Sequence, residues 1–478
     1  MITNRAIKFP AVVVFSFLVL VSVMVTYLIV QKGVFMGIML LLASLGIFLV
    51  ALVLKDFRIG FYLVFLMGIF MFYIDRMANL SFPTGTVYDA LVALVFFSLF
   101  VDQRHHDWTL FKNPVTFMFA IVIFYQFLQF FNPSANSPIA WLVSLRNNTS
   151  FLLYIICFQI FSSVKSVTRF TMLWMFVAFI AAAYGIQQHF FGLNSFETAW
   201  MNSQQERVNL YIIWGELRVF SLFSDPSSFG LFMSMSGLAS MVMAMGPFKS
   251  MIRLGFGLLS VIFLISMSYS GTRTAIAMVA AGIAFYIVIM LHNRRTLVAS
   301  SILVFFGAIL FFGPFYGGTM SRLRSTFHAS ADPSMAVRDV KRLRFQEYIQ
   351  THPMGGGLNT VGIVGQRYSP GHELAGPWDP DSGYLLTALE TGWIGLIIFL
   401  SFFFIVLRCG INSFFSMQDP LLKTYMLVYI VPFLALSVAH FTQDAMFTKP
   451  MNVIVYATYA LVFRIPSLQK KIFSVELV

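Results

Sequence analysis

Residues 253–291 read RLGFGLLSVIFLISMSYSGTRTAIAMVAAGIAFYIVIML. Only Arg253 and Arg273 bring charge to this stretch. A bilayer-spanning helix needs about 20 mostly apolar residues. The stretch therefore predicts two spans, 253–270 and 274–291, hinged at Ser270-Gly271-Thr272-Arg273. Similar runs recur along the chain at 9–30, 33–54, 59–74, 86–101, 114–131, 149–162, 168–189, 219–245, 296–315, 383–407, 424–440 and 450–464. These continuous runs argue against a membrane barrel, which shows alternating segments of about ten residues. The fold expected is an all-α polytopic membrane protein with about 12–14 transmembrane helices.

Composition agrees. Of 478 residues, 59% are apolar and 10% charged, against about 45–50% and about 25% in a soluble domain. That excludes a water-soluble enzyme. The net charge of +12 comes from basic residues scattered singly or in pairs between apolar runs, the pattern of topology-setting charges. No zinc-ligand spacing, Walker glycine loop or RNA-binding signature accompanies them, so nucleic acid is not an expected partner. Cys157 and Cys409 make no disulfide framework. Residues 11–30 follow Arg5 and Lys8 like a signal sequence, but the run is too long and lacks a small-residue cleavage site. It reads as an uncleaved first helix.

Orientation follows from Lys and Arg. With both termini cytoplasmic and the spans alternating, 17 basic residues fall on the cytoplasmic side, against 7 in the short segments opposite. Two long segments, about 190–218 and 316–382, then lie on the extracytoplasmic side, the second before the last three helices. The second carries an amphipathic helix near 335–350 and the turn Gly355-Gly356-Gly357. Three regions follow: N-terminal helices 1–190, a central region 191–407 containing loop 316–382, and C-terminal helices and tail 408–478.

Several charges sit where a membrane protein does not need them. Arg218 opens an apolar run interrupted at Asp225-Pro226. It either faces a cavity or pairs locally with Glu216 or Asp225. Arg273, in the hinge, is either an interface anchor or a planar fork for phosphate. Arg338, Lys341, Arg342 and Arg344 form either an anion groove or a solvated face against lipid headgroups. Glu390 reads as a structural carboxyl. Spacing does not choose among His372, Glu373, Asp379 and Asp381 as proton acceptors. His440 with Asp444 reads as a structural pair.

Four strings, in order, resemble the O-antigen ligase and O-antigen polymerase superfamily of bacterial membrane glycosyltransferases. They are Arg218 with Phe223-Ser-Asp225-Pro226-Ser-Ser-Phe-Gly230, and Ser270-Gly-Thr-Arg273-Thr. Next come Asp332-Pro-Ser334 to Arg338 leading to His352-Pro353-Met354-Gly355-Gly356-Gly357-Leu-Asn359, and last Asp381-Ser-Gly-Tyr384-Leu385 with Glu390-Thr-Gly-Trp-Ile-Gly395. They cover about 215–400; the N-terminal half matches only as a series of helices.

The resemblance implies an enzyme of the bacterial inner membrane, acting at its periplasmic face in lipopolysaccharide or exopolysaccharide assembly. It implies transfer of a glycan from undecaprenyl diphosphate to a second lipid-linked repeat unit (polymerase) or to lipid A core (ligase), with inversion and without cofactor, metal or nucleotide sugar. Arg218 and Arg273 would bind the diphosphate, Arg338 the substrate at the loop, and a base would deprotonate the acceptor. Ligases of the superfamily usually carry His-Asn where this chain has Asp381-Ser382, so the Asp form looks more like a polymerase. Asp381 is the expected base and His372 the alternative. Arg146 is a further glycan or phosphate contact or an interface anchor. A lipid-linked oligosaccharide flippase is the reading from another class. Convergence of Arg218, Arg273 and Asp381 on one outward cavity separates the two.

Overall fold

The computed structural model describes residues 34–78, 84–101, 106–213, 215–293, 345–380 and 382–476, with scattered positions between 19 and 30. The expected helices 9–30 and 296–315, and with them Arg338 and Asp381, lie outside the described residues apart from those scattered positions. Among the described residues nine helices are long and apolar enough to cross a membrane, and three shorter apolar helices accompany them. The protein is an all-α polytopic membrane protein.

In chain order the helices are α1 (Val34–Lys55), α2 (Phe57–Ala78), α3 (Thr84–Val101), α4 (Pro114–Leu128), α5 (Pro138–Ser144), α6 (Thr149–Ile160), α7 (Val164–Phe191), α8 (Ser195–Asn202) and α9 (Gln205–Tyr211). A two-residue hairpin, Ile212–Ile213 with Glu216–Leu217, leads to α10 (Pro226–Ala244), α11 (Ser250–Tyr269) and α12 (Arg273–Ile289). After a helical segment at 345–351 come α13 (Gly362–Tyr368), α14 (Gly383–Ser416), α15 (Pro420–Ala439) and α16 (Met451–Glu476).

The bundle is built around α10, α15 and α16, whose spanning windows are 83%, 72% and 83% buried. For α3, α11 and α14 the figure is 28%, and their outward Phe97, Phe100, Leu258 and Phe404 are exposed, as a lipid-facing surface requires. Small residues bring α10 close to its neighbours: a side chain at Gly237 would run into Leu264 of α11, and one at Gly230 into Ser270. Polar groups inside the bundle find partners across helices, as Trp174 Nε1 with Ser236 (2.9 Å) and Thr171 with Tyr429 (2.8 Å) do. Such bonds spare each group an unmet donor or acceptor in an apolar interior.

One expected helix is shorter than its apolar run. Residues 219–223 are buried and 224–225 half-buried, all of them irregular, and α10 begins at Pro226. Asp225 takes the N-cap, its carboxylate accepting the Ser228 N–H at 2.9 Å, and proline fits the first helical position because no N–H is needed there.

Polar contacts tie the described loops together at the two ends of the bundle. At one end Arg464 meets Asp107, its Nε donates to the Phe158 carbonyl (2.6 Å), and Gln469 accepts the Gln418 N–H (2.9 Å). Burial opposes ionisation of Asp107, but bonds from Thr109 and the Arg464 charge outweigh it and hold the carboxyl below its ordinary range. The other end gathers segments 129–148, 192–225, 270–274, 345–391 and 440–450, joined by the contacts described next.

Candidate active site

At that second end the turn between α11 and α12 is seated on α10. Arg218 reaches across to it: Nε donates to the Ser270 carbonyl at 3.1 Å, Nη2 to Thr272 Oγ1 at 3.4 Å, and Nη1 to Leu210 O at 3.4 Å. Val219 N–H donates to Tyr269 O at 3.0 Å. Arg273 follows at the first position of α12. Thr272, the N-cap of α12, makes no side-chain cap; its hydroxyl turns to the Pro226 carbonyl at 3.3 Å. The two helix starts therefore differ. At α10 Asp225 neutralises the helix dipole, whereas at α12 the positive end carries a further cation, Arg273, with Arg218 beside it. A cation in a first turn is unfavourable by roughly 0.3–1 kcal/mol, and the combination is suited to an anion.

The segment that presents Arg218 is held from behind by a residue the sequence reading passed over. Arg76, buried in the last turn of α2, donates through Nη1 to the Phe223 carbonyl and through Nη2 to the Ser221 carbonyl (2.7 Å). Its guanidinium lies over the rings of Phe220 (4.8 Å) and Trp200 (5.5 Å). Gln188 completes the grip, accepting the Ser221 N–H at 2.7 Å while donating to buried Glu197 at 2.8 Å.

The glycine-rich turn and the Glu390–Gly395 motif turn out to be two halves of one joint. Helix α14 breaks at Gly392 (φ +70°), freeing carbonyls that an unbroken helix would use. Gly356 N–H donates to Leu389 O (2.8 Å), Gly357 N–H to Glu390 O (2.9 Å), and Tyr125 hydroxyl to Thr391 O (2.8 Å). A side chain at Gly355 or Gly392 would collide with the opposing backbone. Asn359 N–H donates to the Glu390 carboxylate at 2.9 Å.

His372 lies in the same loop, 5% exposed. Its Nδ1 accepts the Leu374 N–H (3.1 Å), which leaves the proton on Nε2 for the Ser134 carbonyl (3.1 Å). Burial lowers its pKa. Both ring nitrogens are thus engaged with backbone, tying loop 345–380 to the turn after α4.

Between α4, α14 and α16 opens a cavity of about 380 Å3. Arg146 lines it and pairs with Asp89 at 3.2 Å, as does Lys449 at 3.5 Å. Burial lowers the Lys449 pKa, against the attraction of Asp89. Glu390, Asn359, His440 and Asp444 also face the cavity. Near the cavity, Thr274 of α12 meets Thr442 (2.7 Å), which lies between the cavity residues His440 and Asp444 in sequence. Gly383, whose N–H donates to His440 O (3.0 Å), completes the cavity wall, and Ser382 before it caps α14 by accepting the Leu385 N–H (3.3 Å). They directly follow Asp381 in sequence.

Of the residues singled out from sequence, then, Arg218 and Arg273 come together at the hinge and Arg146 lines the cavity at the same end of the bundle. Neither hinge arginine is part of the cavity wall. Arg338 and Asp381 lie outside the described residues.

A polytopic membrane protein with an anion-suited hinge and, at the same end, a mainly apolar cavity edged by charged groups is the class these features define. Over residues 258–400 the chain matches the family model described as O-Antigen ligase. The matched stretch contains the hinge, the glycine-rich turn and the break in α14. It supports the resemblance to the O-antigen ligase and polymerase superfamily, and with it a role in glycan transfer at a membrane. No curated protein matches the chain.

Proposed function

We propose that the protein is a polysaccharide polymerase of the bacterial inner membrane, joining lipid-linked repeat units at the periplasmic face. The observation that carries this reading is the hinge: Arg218 and Arg273 beside the uncapped start of α12, at the same end of the bundle as the cavity. In this reading the donor's undecaprenyl diphosphate is held at the hinge. Asp381 takes the proton from the acceptor hydroxyl, whose oxygen attacks the anomeric carbon from the face opposite the diphosphate. The new glycosidic bond forms as the bond from the anomeric carbon to the phosphate oxygen breaks. The electron pair leaves with undecaprenyl diphosphate, and the configuration inverts. Charge grows on the leaving oxygen, where preorganised donors act most strongly. Arg338 assists at the loop, and His372 keeps that loop in place.

The family description favours a second reading, a ligase that passes finished polymer to lipid A core. Surface polysaccharide and lipid-linked glycans from a strain lacking the protein separate the readings. Acceptors capped with a single repeat unit support the polymerase. Full-length polymer stranded on undecaprenyl diphosphate means a ligase. Repeat units trapped on the cytoplasmic face mean a flippase, and unaltered glycans remove glycan transfer altogether.

A further inference from the structure

The cavity between α4, α14 and α16 is mainly apolar, and its cations gather at one edge. Arg146 stands shortly before α6 and Lys449 shortly before α16, so both sit where apolar helices begin. They share one carboxylate, that of Asp89, and two cations against one carboxylate leave the edge positive. Arg146 brings only its Nε to Asp89. Its terminal nitrogens make no hydrogen bond among the described residues, and its side chain is 57% exposed, so the guanidinium fork is open to a ligand. The charges acting on Lys449 are those of Asp89 and Arg146, whereas Asp444, another carboxylate of the cavity, acts on Glu390. An open fork of this kind suits the oxygens of a phosphate, which it grips in pairs.

Away from this edge the lining turns apolar. Along α4 the wall passes from Gln126 to Val122, one turn away, and to Phe119, two turns away. Along α14 it runs from Leu386 to Ile398 and Phe402. Val122, Ile123, Leu386, Ile398 and Phe399 are only partly buried, so this surface is reached from outside the fold. A basic edge at the ends of apolar helices, with an apolar bed beside it, is the layout that receives a lipid with an anionic headgroup. A neutral lipid would leave the fork unused, and a free phosphate or sugar would leave the bed unused.

We propose that this cavity is a second lipid-phosphate site: the headgroup of a polyprenyl diphosphate rests on Arg146 and Lys449, and the first part of its chain lies on the α4 and α14 wall. The proposal rests on the polymerase reading, in which two lipid-linked substrates are held at once. Arg218 and Arg273, outside the cavity wall, take the donor, and this site takes the acceptor.

The test counts undecaprenyl diphosphate bound to full-length protein by native mass spectrometry from detergent micelles. This probe carries no glycan, so no transfer occurs. The wild type is expected to bind two molecules, Arg146→Gln one, Arg273→Ala one, and the doubly substituted protein none. Loss of a charge-assisted bond predicts affinity roughly ten- to hundredfold weaker at the altered site. Ile123→Trp, which fills the apolar bed and keeps the fork, is expected to lose the same molecule as Arg146→Gln, so that the two substitutions together still leave one bound. Arg146 is exposed, and Lys449 still faces Asp89 without it, so the unfolding midpoint of Arg146→Gln should match the wild type's. Undecaprenol, inorganic diphosphate and phosphatidylglycerol serve as competitors, and none is expected to displace the second molecule. Displacement by phosphatidylglycerol would make this an ordinary contact with membrane lipid, and displacement by inorganic diphosphate a free-phosphate site. Either result, a single bound molecule in the wild type, or two that survive Arg146→Gln, overturns the proposal. Failure of the polymerase reading shows itself separately, as unaltered glycans or stranded polymer in the strain lacking the protein.

Discussion

Replacing Arg76 with methionine tests whether the segment bearing Arg218 is held from behind. The substitution removes two charge-assisted hydrogen bonds and leaves the carbonyls of Ser221 and Phe223 buried without those donors. Each orphaned acceptor costs about 1–3 kcal/mol, and the lost stacking on Phe220 and Trp200 adds about 0.5–2 kcal/mol. Removing a guanidinium from a buried site offsets part of this, because desolvating a charge is itself costly. The net expectation is a loss of about 2–4 kcal/mol, with the irregular segment 219–225 the first to loosen. Thermal unfolding of protein in nanodiscs should show a lower midpoint. Polysaccharide from cells carrying the variant should be shortened even where the protein level is normal. Arg76→Lys should fall between, since one ammonium can serve a carbonyl but does not reproduce the planar fork. Wild-type unfolding and wild-type polymer in Arg76→Met would show that Arg76 does not hold the segment.

Three further outcomes follow. Gly392→Ala should cost several kcal/mol and deplete folded protein from membranes on immunoblotting, because alanine resists φ of +70° and its Cβ would collide with the Pro353 carbonyl. Glu390→Gln should retain thermal stability within about 1 kcal/mol, since the amide oxygen still accepts the Asn359 N–H, whereas Glu390→Ala should lose more. The third concerns acidification. Burial lowers the His440 pKa to about 4, so the stability of its neutral form is intact above about 6.5 and is lost as pH falls toward 4. Asp444 acts oppositely: burial raises it to about 6, so its contribution grows as pH falls through 6. With 43% of its side chain open to the cavity, water damps that effect. The unfolding midpoint should therefore drop from pH 7 to pH 5, more steeply in Asp444→Asn and less in His440→Gln.

The sequence made the spans legible because continuous apolar length is a local property, and it located the hinge because a glycine turn with arginine between two such runs is unusual. It overran the start of α10, since a buried irregular segment such as 219–223 is as apolar as a helix. The break at Gly392 had a local signal, a glycine within an apolar run, but its partner, the glycine-rich turn, lies more than thirty residues away. Arg76 was out of reach for the same reason. Arg76 looks like an ordinary helix-end charge until Ser221 and Phe223, 145 and 147 residues on, are seen to meet it.

Polymerisation is measured directly by incubating purified protein in nanodiscs with undecaprenyl-diphosphate-linked repeat units and separating the products by length. A polymerase gives a ladder of lengthening lipid-linked glycans and releases undecaprenyl diphosphate. Both should be abolished by Arg218→Ala and by Arg273→Ala in protein that folds as the wild type does. A full ladder from either arginine variant, or substrate left unextended by the wild type while lipid A core becomes glycosylated, would contradict the proposed function.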